Sequence, residues 1–379
     1  MIQQLKRLVK KCIRHFMSKR GFKTNQHLIV IESDDWGSIR SSNQGIKFIK
    51  NNYSDFKLDA YQSVDCLESE EDLQALFEVL KKYKDAEGNH PIVTAMFIMQ
   101  NLIMGQDETI RQENFTDTYK RYNYASLQAI KNNMSNKTFY PQLHGLAHFN
   151  LQKHKDAMKI NPMIKKCWQN EMIGLCAGNY VGMDAFNLDS LDDDYCTNIP
   201  KAAEIFKQTF GYQSETFVFP CYVYTNKDEK KLLQSGIKNI QTTWIQNIPL
   251  KKTAKKEYGR KLHYMGQKNS IGGIYTIRNC FFEPINYQIF REDGKSIQDC
   301  LQNCLEQIDT AFKNKKPAII CSHRANYVGG IDKQKRNENL KCLDKLLKEI
   351  LIKYPDVKFV SSVELSKIIQ GEKHASYRS

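Results

Sequence analysis

The chain has 379 residues, 41% of them hydrophobic and 26% charged, a balance that fits a soluble globular protein with one large α/β domain or two smaller ones. Eleven cysteines without framework spacing argue against a disulfide scaffold, and Cys300 and Cys304, four apart with no second pair, argue against a zinc ribbon. The net charge of +14 admits an anionic partner, but the lysines are spread along the whole chain with no aromatic-interleaved basic motif, so no specific nucleic-acid site is expected.

Residues 1–24 open with MIQQLKRLVKKCIRHFMSKR, where Leu5, Leu8, Val9, Cys12, Ile13 and Phe16 recur at helical spacing between basic residues. This is a basic amphipathic helix without the continuous apolar core of a secretory signal. Through residues 1–20 it either touches an anionic membrane face or packs on the protein's own surface. No later run is long enough to span a bilayer, and a cytoplasmic, at most membrane-peripheral, protein is expected.

Ile29-Val30-Ile31-Glu32-Ser33-Asp34-Asp35-Trp36-Gly37 is the first strand: a β-branched apolar run that ends in two carboxylates and a glycine turn. In α/β folds, chemistry sits beyond such carboxyl ends. Two like charges there are tolerable if they alternate faces or if a cation takes one; the other reading is an Asx turn with solvated acids.

Residues 40–90 read as a polar, aromatic insertion or lid, with an acidic helix near Leu67–Lys82, before a buried strand at Pro91–Ile98. Residues 106–137 read as mostly helical. The segment Thr138–Phe149 runs from a short strand into a turn carrying His144 and His148, four apart. On a helical turn both imidazoles would share a face and reach one ion at about 2.1 Å; in a loop they would be ordinary polar residues.

Residues 151–210 read as helical, apart from an Asp-rich loop at 178–200 that lines a cleft or is plain surface, with spacing unlike an EF-hand. Phe217–Tyr222 is a strand end closed by Pro220, followed by a helix at 228–236 and a strand at 238–242. A lysine-rich connection fills 246–270, and Tyr275–Pro284 looks like a strand and its exit. The helix at 294–314 carries Ile297, Cys300, Leu301, Cys304, Leu305 and Ile308 on one core-facing side. Pro317–Arg324 is a second apolar strand that delivers a titratable side chain, His323, at its end. A helix at 334–353, a strand at Val357–Val360 and a basic tail over 371–379, expected to be disordered, complete the chain.

Strands and helices alternate, with polar residues at several strand ends, the pattern of an α/β barrel or wound sheet. One α/β unit over residues 25–370 is expected, with insertions near 40–90 and 175–200.

The order Asp34-Asp35, then His144-x-x-x-His148, then a strand ending in Pro220, then Ser322-His323 resembles the polysaccharide deacetylase family, the NodB-homology domain of carbohydrate esterase family four. The resemblance runs from about His27 to Ile369 and is closer to members associated with bacterial surface-glycan biosynthesis than to secreted chitin deacetylases. It implies an irregular barrel of about seven β/α units. Asp35, His144 and His148 would hold a divalent metal, Zn²⁺ first, with Co²⁺, Ni²⁺, Fe²⁺ or Mn²⁺ open. Asp34 would be the general base and His323 the general acid. Pro220, Cys221 and Tyr222 would face the substrate, the Cys221 N–H helping an oxyanion hole.

A carboxylate with two imidazoles leaves open positions on a metal, which brings the pKa of water from 15.7 toward about 7. Asp34 would take the proton of that activated water, and protonated His323 would give one to the departing amine. The implied activity is hydrolysis of an N-acetyl (or O-acetyl) group on a sugar or glycan precursor. The alternatives are another linear amide, or a catalytically inactive glycan-binding homologue. Two places depart from the family pattern. Val218 stands where an Arg usually pairs with the base, and no Asp near Trp244 matches the one that orients the acid His; Arg278, Arg324 and Asp332 are the open substitutes.

Overall fold

The computed structural model describes residues 16–53, 56–174, 198–250, 258–289 and 295–371. Most of the basic helix expected at 1–20, nearly all of the acidic loop near 175–200 and the tail from 372 lie outside the described residues.

Strand β1 (Leu28–Trp36) is buried at every position, as its apolar run requires. The strands that follow are β2 (Val93–Ile98), a hairpin of β3 (Gln100–Met104) and β4 (Ile110–Asn114), β5 (Phe139–Gly145), β6 (Thr216–Val218) and β7 (Asn239–Thr242). Next come a hairpin of β8 (Ile245–Pro249) and β9 (Tyr258–Leu262), then β10 (Gln267–Lys268), β11 (Ile274–Ile277), β12 (Cys280–Phe281), β13 (Ala318–His323) and β14 (Lys358–Phe359).

The main sheet runs β10-β11-β7-β6-β5-β2-β1-β13-β12, parallel throughout except for the β10–β11 pair. Strands β1, β2, β5, β6, β7 and β11 are neighbours in chain order, and β13 returns to lie beside β1. The two edges are joined through the backbone, because only Arg278 and Asn279 separate β11 from β12. The Arg278 N–H donates to the Thr242 carbonyl at the end of β7 (2.9 Å), and the Asn279 N–H donates to the Ile319 carbonyl of β13 (3.2 Å). With Ile274–Phe281 taken as one kinked strand, the parallel strands make an irregular ring of seven, with Arg278 at its seam.

Two registers position the site. Asp34 on β1 lies beside His323 on β13. The β1–β2 register shifts between Ser33 and Trp36, where Asp35 takes a φ of 75°. This bulge re-aims the side chains, so consecutive acids need not point to opposite faces. Aspartate tolerates the left-handed conformation better than most residues.

Helices pack outside the ring on apolar faces. Ile297–Lys313 buries Cys300, Leu301, Cys304, Ile308, Ala311 and Phe312, nearly the face expected from its spacing. Trp36 is buried at the exit of β1, edge-on to Phe139 with ring centroids 5.0 Å apart, and its indole N–H donates to Ser33 Oγ (3.0 Å). Full burial of one such ring contributes about 2–3 kcal/mol. The helix Ser362–Gln370 starts from a Ser361/Glu364 capping box and meets the ring at Thr94 and Glu32 through its Ser362 N–H (3.0 Å) and hydroxyl (2.7 Å).

The sequence-based elements differ from the structure in three places. Residues 106–137 begin with β4, and the lysine-rich stretch at 246–270 contains most of the β8–β9 hairpin. Both are short strands whose polar faces hide the alternation. The insertion at 40–90 holds the expected acidic helix, at Glu70–Lys81, and two further helices, Asn43–Asn52 and Ala60–Val64. Among the described residues no helix is long and apolar enough to cross a membrane.

Candidate metal centre and catalytic site

The two carboxylates at the end of β1 have separate surroundings. Asp34 is held by Arg278 in a two-pronged contact: Nη1 donates to Oδ2 (2.5 Å) and Nη2 to Oδ1 (2.7 Å). The third arm of the guanidinium, Nε, donates to Glu32 Oε2 at 2.6 Å. All three residues are buried. Burial alone would raise the pKa of Asp34. The charge and hydrogen bonds of Arg278 outweigh it, with His323 adding, and hold the carboxyl below its ordinary value.

Asp35 is one residue further on, buried, and turned toward two imidazoles. Nε2 of His144 and Nε2 of His148 each lie 3.5 Å from Asp35 Oδ1. His144 is the penultimate residue of β5, while His148 sits in the bend before the helix Leu151–Ile160. The pair therefore meets across a strand end and its exit loop, not on a helical turn. His144 Nδ1–H donates to the Val218 carbonyl (2.8 Å), which fixes the tautomer and leaves Nε2 as a lone-pair donor. Asp35 Oδ2 accepts from Arg40 Nη2 at 2.9 Å. Against the effect of burial, the Arg40 guanidinium keeps Asp35 well below the ordinary carboxylate range.

These three residues fit a small divalent cation. Asp35 Oδ1 is buried and accepts no hydrogen bond, although an unsatisfied buried carboxylate oxygen is costly. One carboxylate oxygen and two imidazole nitrogens lie within 4.8 Å of one another, the donor set that suits zinc and its neighbours.

His323 is one strand away. Its Nδ1 lies 2.5 Å from Glu283 Oε1, and Glu283 is fixed in turn by Asn326 Nδ2 (2.8 Å). Burial works against the charged ring, but Glu283 overcomes it, with Asp35 and Asp34 adding, and pushes the pKa up to about 9. The imidazolium therefore persists through neutral pH. The Tyr61 ring packs edge-on against His323 with centroids 5.1 Å apart, and its hydroxyl is 3.4 Å from Nδ1.

Pro220–Tyr222 is a single 3-10 turn after β6. Cys221 and Tyr222 both have positive φ, 51° and 56°, so this turn is strained by about 1–3 kcal/mol per residue. Cys221 is exposed. The Tyr222 hydroxyl accepts from Arg278 Nη1 (3.2 Å), which ties the turn to the Asp34 clamp.

The expected residues Asp34, Asp35, His144, His148 and His323 are thus brought together. Of the three substitutes left open, Arg278 pairs with Asp34. Arg324 is buried against Asp65 and Glu68, and Asp332 caps the helix Lys333–Lys353 while pairing with Lys335. The partner of His323 is Glu283, not an acid near Trp244. Glu283 lies two residues beyond the kinked strand, and only the ring closure brings it to the end of β13. Glu32, Arg40, Asp65 and Tyr61 carry no signal in the sequence pattern; three of them fall in the segment taken as an insertion.

No protein-family model matches this chain, and no curated protein matches its sequence. Among solved structures it is similar to a probable polysaccharide deacetylase from Pseudomonas aeruginosa PAO1, at 9% identity and a TM-score of 0.46, with 93% of each chain covered. It is also similar to a CE4 family pseudoenzyme from Bacillus anthracis, at 10% identity and a TM-score of 0.40, covering 90% of this chain and 66% of that one. A third similarity is to a 4-alpha-glucanotransferase from Thermococcus litoralis, at 9% identity and a TM-score of 0.44 over 90% of this chain. The chain spans only 40% of that protein's length.

Proposed function

We propose that this protein is a metal-dependent hydrolase of the polysaccharide deacetylase type, which removes an N-acetyl (or O-acetyl) group from a sugar or glycan precursor. The observation that carries the proposal is the unsatisfied Asp35 Oδ1 facing two imidazole nitrogens, beside a second carboxylate that an arginine keeps apart from them.

Asp35, His144 and His148 would hold the ion, with Zn²⁺ the best match to a carboxylate–imidazole set. When bound, the ion supplies a Lewis acid that polarises the scissile carbonyl and brings the pKa of water toward about 7. Asp34 is a weak base, because Arg278 stabilises its charged form. It is therefore suited to water that is already acidified, not to bulk water. Arg278 also orients both oxygens of Asp34 and leaves each a lone pair for the incoming proton. As water adds to the carbonyl carbon, the strained turn at Pro220–Tyr222 offers the Cys221 N–H to the developing oxyanion. One such donor is worth about 3–4 kcal/mol. His323, charged because Glu283 holds Nδ1, keeps Nε2–H for the departing amine. The C–N bond then breaks to give acetate and the free amine.

The inactive, glycan-binding alternative rests on the two departures from the family pattern, the missing base-partner Arg and the missing acid-orienting Asp; Arg278 pairs with Asp34 and Glu283 with His323 here, which favours the hydrolase. The test is acetate release from N-acetylated sugars and chito-oligosaccharides by chelator-treated protein, with and without Zn²⁺. Zn²⁺-dependent release that Asp34→Asn abolishes, with Zn²⁺ binding retained, supports the proposal. Full turnover by Asp34→Asn, or by metal-free protein, contradicts it.

A further inference from the structure

Asp35 has one oxygen turned to the imidazoles and the other fixed by Arg40. We propose that Arg40 makes Asp35 a single-oxygen ligand: by occupying Oδ2 it stops the carboxylate from chelating a cation through both oxygens and keeps one coordination position open for water and substrate. The proposal rests on the metal-site reading above and deepens it.

The contact is specific in form. Arg278 forks onto both oxygens of Asp34, whereas Arg40 gives Asp35 a single N–H, to the far oxygen. Carboxylates bind cations with one oxygen or with two, so a donor fixed on one oxygen decides between the modes.

Arg40 is also locked in place. Its Nε donates to Asp65 Oδ2 (3.0 Å), and Asp65 Oδ1 accepts from Arg324 Nε (3.0 Å) and Nη2 (2.7 Å). Arg324 Nη1 donates to Glu68 Oε2 (2.8 Å) and to the Ser38 carbonyl (2.5 Å). Glu68 Oε1 accepts from the Gly37 N–H (2.8 Å) and from the Tyr119 hydroxyl. Every member is buried, Arg40 the most exposed of the charged ones at 8%. The chain of contacts begins at Arg40 and ends at Gly37, both on the turn that leaves β1, so the guanidinium cannot swing away without undoing that turn. Arg40 is accordingly a positioning residue, acting on the ion only through Asp35.

The test loads wild type, Arg40→Met and Asp35→Ala with Co²⁺ and follows visible absorption, affinity by chelator competition, and acetate release. Arg40→Met is expected to bind Co²⁺ no more weakly than wild type, and on the order of tenfold more tightly, because a like charge is gone. Its visible bands should lose intensity as the coordination number rises, and turnover should fall. Weaker Co²⁺ binding with unchanged bands would mean that Arg40 merely orients a ligand, and would overturn the proposal, as would bands and turnover equal to wild type. If Asp35→Ala binds Co²⁺ as tightly as wild type, the metal-site reading itself fails. If Asp35→Ala loses Co²⁺ while Arg40→Met keeps the wild-type bands, only the role of Arg40 fails. Should Arg40→Met not fold, Arg40→Gln removes the charge and keeps a neutral donor. Tighter Co²⁺ binding is then expected, and unchanged or weaker binding overturns the proposal.

Discussion

Asp34 and Asp35 are chemically identical neighbours with opposite surroundings. Each is buried, each faces an arginine, and each arginine is shared with a further acid, Glu32 for Arg278 and Asp65 for Arg40. The difference lies in the number of oxygens engaged. Arg278 takes both oxygens of Asp34, while Arg40 takes one of Asp35 and leaves the other to His144 and His148. Environment alone thus sorts the two acids, in keeping with the proposed roles of proton acceptor for Asp34 and ligand for Asp35. The bulge at Asp35 is what allows two consecutive residues to be sorted in this way.

The comparison can be broken most severely at Asp34. Asp34→Asn keeps the shape and removes the proposed base, and kcat should drop by about 10³ or more with metal content unchanged. Elemental analysis alongside initial rates checks both halves. Arg278→Met comes next, since it strands two buried carboxylates. A loss of about 3–5 kcal/mol in denaturant stability is expected, together with lower turnover. Stability within about 1 kcal/mol of wild type would show that Glu32 and Asp34 are satisfied without the arginine.

Glu283→Gln tests the other side of the site and has a smaller effect. His323 has a raised pKa, so its pairing with Glu283 favours the folded, charged form fully below the ordinary value of 6.5 and loses this effect as pH rises through about 9. With Gln at 283, the alkaline limb of kcat/KM should move to lower pH, while activity near pH 6 changes little. An unmoved limb would assign it to another group. Tyr61→Phe removes the long contact to His323 at 3.4 Å and a hydrogen bond to Asn286, and a change in turnover within about threefold is expected.

The ends of the apolar strands were legible in the sequence because burial on both faces leaves an unmistakable run, and the titratable residue that follows such a run stands out at Asp34, Asp35 and His323. His144 and His148 were legible by type, but not by conformation. Their spacing suits a helix, and the chain uses a strand end and a bend instead. The partners were far less visible. Arg278 follows a four-residue strand, and its role depends on the seam where that strand kinks and closes the ring. Glu283 reaches His323 through the same closure. Arg40, Asp65 and Glu68 sit in a polar stretch whose periodicity describes surface helices, while tertiary packing buries all three. Charge pairing between distant segments leaves no local pattern to read.

Zn²⁺ titration of chelator-treated wild type and of His144→Ala, with stoichiometry determined by elemental analysis after dialysis, bears most directly on the convergence of Asp35, His144 and His148. One tightly held Zn²⁺ per chain in wild type and none in His144→Ala is expected. Equal Zn²⁺ content in the two proteins would contradict the metal centre, and the proposed hydrolysis with it.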